Sequence, residues 1–172
     1  FRQCGLNVPD GFEDLKNEEE IINALSELKL NNPSLRKAVV KMNDGFSGEG
    51  NAIFSFEGIE EGTEWRTWIS EHFMHNLKIV AGDLTYKDFM YKFQSMGGIV
   101  EAFVDGEVKT SPSVQCRINP MGAVDVISTH DQQLTGEFAQ VFAGAHFPAN
   151  AEYRNEIARL GMQVALELRD RG

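Results

Sequence analysis

The residues best suited to chemistry lie in one run, Val39-Val40-Lys41-Met42-Asn43-Asp44-Gly45-Phe46-Ser47-Gly48-Glu49-Gly50-Asn51. Lys41 sits in an alternating stretch in which Ala38, Val40 and Met42 fall on one side and Val39, Lys41 and Asn43 on the other, the pattern of a strand with two distinct faces. A strand-borne ammonium beside a loop carrying Gly45, Gly48 and Gly50 can set a fixed cation and several free backbone N–H groups around phosphate oxygens, with the Ser47 hydroxyl beside them. Glycine matters there because backbone without a Cβ can approach a ligand closely. The run is neither the GxxxxGK[ST] loop that opens a helix nor the GxGxxG turn of a dinucleotide fold. Resumed alternation over residues 51–56 makes it strand, glycine loop, strand, a flap that closes over phosphates. The competing reading is a flexible hairpin with an incidental lysine.

A second run, Ile99-Val100-Glu101-Ala102-Phe103-Val104-Asp105-Gly106-Glu107, ends a buried-type strand. Such a strand end can offer a purine ring one backbone carbonyl and one backbone N–H, apolar neighbours around the ring and acids beyond for ribose hydroxyls. Taken alone it is a weak motif and reads more readily as an ordinary β-hairpin with Asp105-Gly106 at the turn. Gln115 and Arg117 share a strand face, where the guanidinium fork suits phosphate oxygens if the face lines a cleft and is an exposed pair if it does not. His72, His75, His130 and His146 are joined by no carboxylate or cysteine in a recurring pattern, so they read as surface or turn histidines. Cys4 and Cys116 form no CxxC pair and read as structural thiols.

Helices and further strands must position these runs. Asn17 followed by three glutamates and by Ile21, Ile22, Leu25 and Leu28 predicts a capped amphipathic helix over residues 18–30. Residues 57–64 read as an acidic turn. Trp65, Trp68, Ile69, Phe73 and Leu77 recur at helical spacing. Thr85 and Asp88 form a capping box ahead of Tyr86, Phe89, Met90 and Phe93, and Gly97-Gly98 stops that helix. Strands are expected over residues 113–118 and 123–130, a polar glycine-containing segment over 131–150, and a last helix marked by Ile157, Leu160, Val164 and Leu168. The aromatic stripes are core rather than a cofactor box.

Composition narrows the partners. At 172 residues and 42% apolar content, the chain can bury a core of one domain. No stretch approaches the roughly 20 apolar residues of a membrane span and no basic-then-apolar leader opens the sequence, so a cytosolic protein is expected. A formal charge of −10 opposes nucleic acid but leaves room for a nucleotide held by one lysine, oriented amides and magnesium.

Together and in this order, the two runs resemble the ATP-grasp superfamily. The opening Gly5-Leu6-Asn7-Val8-Pro9-Asp10-Gly11-Phe12 is similar to the GVPxPxGF-type start of that domain, and the resemblance covers nearly the whole chain. It is closest to the carboxylate–amine ligase branch, including peptide ligases of the pheganomycin type. The resemblance implies an α+β fold, an antiparallel sheet backed by helices with a glycine-rich hairpin loop, divided into a nucleotide-clamping part at about 17–106 and the start of a metal-binding part at about 107–172. It implies ATP and Mg2+ as cofactors and a small carboxylic acid and an amine as substrates, joined through an acyl-phosphate. In that scheme Lys41 contacts the α- and β-phosphates, and Gly45, Ser47, Gly48 and Gly50 cover the triphosphate. Glu101 and the Ala102 carbonyl meet the adenine amino group, the Val104 N–H donates to a ring nitrogen, and Asp105 or Glu107 takes the ribose. The family's metal-binding acid and Glu-x-Asn pair have no counterpart before Gly172. The expectation is therefore a part of the domain, inactive by itself, with metal ligands outside it. The alternative is a non-catalytic nucleotide-binding or regulatory module.

Overall fold

Each of the first three helices starts where a side chain can satisfy its free N–H groups. Asn17 accepts from the Glu20 N–H at 2.9 Å and begins α1 (Glu18–Asn31). Glu64 accepts from the Thr67 and Arg66 N–H groups at 2.7 and 3.2 Å and begins α2 (Trp65–Asn76); hydrogen bonds from Thr67 hold its carboxyl below the usual carboxylate range. Thr85 accepts from the Asp88 N–H at 3.2 Å and begins α3 (Tyr86–Met96), which stops at Gly97 with φ +75°.

The computed structural model describes residues 1–172 apart from Phe46, Ser47, Glu49 and Glu61. One unit of the chain comprises Pro9–Asp105 together with Gly136–Val141. Among its described residues, strands β1 (Gly11–Leu15), β2 (Lys37–Met42), β3 (Asn51–Ser55), β4 (Leu77–Ile79) and β5 (Gly98–Ala102) form an antiparallel sheet in the order β1-β5-β2-β3-β4. The period of two sorts its faces. Ala38, Val40, Met42, Ala52, Phe54 and Val100 enter a core closed by Ile21, Ile22, Leu25 and Leu28 of α1, Ile69 and Phe73 of α2, and Phe89 and Phe93 of α3. Gly98 is required at its register position opposite Met42, because a Cβ there would lie 2.2 Å from the Lys41 carbonyl oxygen and 2.4 Å from the Phe93 ring. Lys29 anchors the approach to β2. Its ammonium donates to the Pro33 and Leu35 carbonyls at 2.7 and 2.9 Å near the Phe56 and Trp65 rings, and burial lowers its pKa.

The other unit comprises Phe1–Val8, Gly106–Thr135 and Phe142–Gly172. Its described strands β6 (Pro112–Ile118), β7 (Val124–Thr135) and β8 (Val141–His146, of which Val141 is counted with the other unit) lie in the order β6-β7-β8, and α4 (Arg154–Arg171) packs on β6 and β7. No helix among the described residues is long and apolar enough to cross a membrane.

Three local expectations are corrected, and one strand is added that the sequence did not announce. Residues 131–150 are not a plain polar segment, since β7 runs on to Thr135 and β8 follows; both are partly exposed strands without an apolar alternation. Leu77 leaves the helical stripe to open β4, and the acidic Gly11–Leu15 segment pairs with β5. Asp105-Gly106 is not the turn of a hairpin, because β5 pairs with β1 and β2 while β6 pairs with β7.

Candidate functional site

Residues directly opposite one another in a sheet point to the same side. Lys41 stands opposite both Asn51 and Ile99, and Val39 opposite both Ile53 and Glu101, so these side chains share the sheet face turned away from the three helices. On that face the Lys41 ammonium donates to the Glu101 carboxylate across 60 positions of sequence. The two side chains are 34% and 19% exposed, so the pair is largely shielded from bulk water. The family scheme sends Lys41 to phosphate and Glu101 to adenine; here each is also the other's partner, so they form one charged pair.

The glycine loop begins at the end of β2 and is tied down at both sides. The Met42 N–H donates to the Gly50 carbonyl at 3.0 Å, the Asn51 N–H to the Gly48 carbonyl at 3.1 Å, and the Asn43 N–H to the Gly97 carbonyl at 3.0 Å. Gly48 has φ +86°, and a Cβ there would sit 2.0 Å from the Gln140 carbonyl oxygen. Gly45 and Gly50 face each other, a Cβ on Gly50 falling 2.9 Å from the Gly45 Cα. Ser47 lies outside the described residues.

At the far end of β5 the backbone leaves the sheet. The Ala102 N–H donates to the Asp10 carbonyl at 2.8 Å and the Phe103 N–H to the Lys37 carbonyl at 3.1 Å, which fixes the strand end just before Val104. Val104 is 71% exposed, and Asp105 and Glu107 are exposed beyond it. The strand end thus leads into exposed chain that carries the acids Asp105 and Glu107.

Other candidates fall elsewhere. Gln115 is exposed and accepts from the Ser128 hydroxyl at 3.3 Å, and Arg117 pairs with Asp125 at 3.0 Å across β6 and β7, so these two form an exposed cross-strand set. His72 stacks on Trp68 at 4.4 Å and bonds its carbonyl at 2.8 Å. His130 lies 5.8 Å from the Phe147 ring, and His75 and His146 are exposed. Among the described residues no three His, Cys, Asp or Glu side chains gather to hold a metal ion.

Sequence reasoning missed two lysines of the same face. Lys37 is opposite Ser55, in phase with Lys41 on β2, and that phase was readable from the alternation. Lys78 is opposite Ile53 on a strand too short to carry a pattern.

The comparisons with known proteins agree on one architecture. The family model described as IQCH-like, ATP-grasp matches residues 69–172, more than half of the chain, including β5 and the whole of the β6–β8 sheet. L-propargylglycine–L-glutamate ligase of Streptantibioticus cattleyicolor is 27% identical over 158 residues, which is 90% of this chain and 30% of that enzyme. The crystal structure of the ADP complex of PurK, N5-carboxyaminoimidazole ribonucleotide synthetase, superposes with a TM-score of 0.56 at 16% identity, over 98% of this chain and 35% of that one. The chain therefore spans about a third of the length of these relatives.

Proposed function

The chain belongs to the IQCH-like ATP-grasp family, and from that premise we propose that it binds ATP on the Lys41–Glu101 face, as the nucleotide-holding part of an ATP-dependent carboxylate–amine ligase. The observation that carries this reading is the meeting of Lys41 and Glu101, from two strands far apart in sequence, on the face bordered by the glycine loop and by the end of β5. A ligase among the relatives, one whose name joins two amino acids, favours small acids and amines of the amino-acid class as substrates.

In this reading Lys41 trades part of its hold on Glu101 for the α- and β-phosphates, while N–H groups of residues 45–50 close over the triphosphate. A carboxylate oxygen of the acid substrate takes the γ-phosphoryl group and ADP leaves; the amine nitrogen then attacks the acyl carbon and phosphate departs. The chain's contribution is positioning and neutralisation of charge, which is most of what phosphoryl transfer asks of a protein. Magnesium would supply neutralisation of phosphate charge, but among the described residues no side-chain cluster fits it, and residues 1–172 are assigned no magnesium site of their own. ADP release by residues 1–172 with a panel of amino acids and Mg2+ is accordingly expected at background. Robust turnover by these residues alone would overturn that assignment.

Base selection tests the β5 end. An Ala102 carbonyl that accepts from the adenine amino group would confront the guanine carbonyl, leaving two acceptors face to face at a cost of about 1–3 kcal/mol. Competition between ATP and GTP should favour ATP by about 10- to 100-fold. Equal competition would remove Ala102 and Val104 from the base site.

A further inference from the structure

In a chain of net charge −10, Lys37, Lys41 and Lys78 all project from the helix-free face of one sheet. Like charges gathered this way repel unless anions face them. Glu101 answers Lys41, whereas the other two lysines are met by the segment Gly136–Val141, which belongs to the same unit. Glu137 forms an ion pair with Lys78. The ring of Phe138 lies 5.5 Å from the Lys37 ammonium and 5.4 Å from that of Lys78, within cation–π range of both. Further along, the Gln140 side-chain oxygen accepts from the Asn51 amide at 3.2 Å, and its main-chain carbonyl fills the space that a Cβ on Gly48 would take. The segment therefore reaches from β4 to the glycine loop. A pocket of about 430 Å³ has Lys37, Ser55, Glu57, Lys78, Glu137 and Phe138 among its lining residues, so the segment forms part of its wall.

A carboxylate and a flat aromatic ring are also the two features that a nucleotide presents, an anion and a planar base. Resting on the nucleotide reading above, we propose that Gly136–Val141 is a self-occluding strap: Glu137 and Phe138 hold Lys78 and Lys37, and ATP must displace them to reach the face. Its contacts are of the exchangeable kind. Lys78 and Glu137 are 58% and 62% exposed, and exposed ion pairs are weak and screened by salt. Ala139 sits at φ +50°, in the left-handed region that a residue with a Cβ adopts at a cost, so the strap's shape depends on these tethers. When the strap lifts, Lys37 and Lys78 become free to meet phosphate oxygens or the ring of the ligand.

A face covered for most of the time binds with an affinity reduced by the fraction uncovered. Glu137→Gln removes the ion pair from an exposed position and leaves the fold alone, while Phe138→Ala removes the ring. Calorimetry of the 172-residue chain with ATP should show each variant binding about three- to tenfold more tightly than the parent, and the pair together more tightly still. Amide exchange over residues 136–141 should rise in the parent when ATP is added. Binding that depends on Lys41 but is unchanged or weakened in both variants would overturn the strap and leave the nucleotide reading standing. Failure of the parent and of every variant to bind ATP would overturn that reading, and the strap's role with it.

Discussion

Lys41→Ala is expected to weaken ATP binding by about 10- to 100-fold while the melting transition moves little. A charge-assisted hydrogen bond to phosphate contributes about 1.5–3 kcal/mol net, and each 1.4 kcal/mol is about a factor of ten in affinity. The structural loss is smaller. Lys41 is one third exposed and its ammonium is held by the Glu101 carboxylate, a pair that contributes no more than about 1 kcal/mol to folding. Nothing in the core depends on the ammonium, because Val40 and Met42, its neighbours on β2, are the residues that enter the core. Isothermal calorimetry measures the first effect and circular dichroism the second. Equal ATP affinity in parent and variant would remove Lys41 from the site, and a collapsed melting curve would make it a folding residue instead.

Phe54→Ala should have the opposite signature, a loss of stability of about 3–5 kcal/mol that a chain of this size registers as a fall in Tm of roughly 6–20 °C. Phe54 is fully buried on β3, edge-on to Phe56 with ring centroids 5.1 Å apart and stacked on Phe73 at 5.9 Å. Removing its ring opens a void between the sheet and α2 that the rigid β2–β3 pairing cannot close. Thermal and urea unfolding of the variant read the loss directly. Its neighbour Ile53 points to the opposite, helix-free face, where the register sets it opposite Val39 and Lys78, so two adjacent residues of one strand face two different sides of the sheet. A Phe54→Ala variant as stable as the parent would mean that the core is not closed as described.

Much of this division is legible in the order of residues alone. The alternation around Lys41 assigns it to the face away from Val40 and Met42, and the register agrees. Asn17 and Thr85 announce their helices because a cap is a local event: one side chain satisfies N–H groups two or three residues on. The short strands are silent for the converse reason. β1 and β4 lie at the edges of their sheet, and β8 is largely exposed, so burial imposes no readable alternation on any of them.

The residues by themselves determined the strand–glycine loop–strand unit, the apolar stripes, the place of Lys41 on its strand and the resemblance to ATP-grasp proteins, all of which depend on spacings of a few residues. Only the tertiary structure decided that β5 inserts between β1 and β2, which sets Glu101 diagonally across from Lys41, and that Gly136–Val141 lies against Lys37 and Lys78. Strand order and long-range docking follow from how several helices and strands bury apolar surface at once. That energy belongs to the whole assembly of elements, so no local spacing records it.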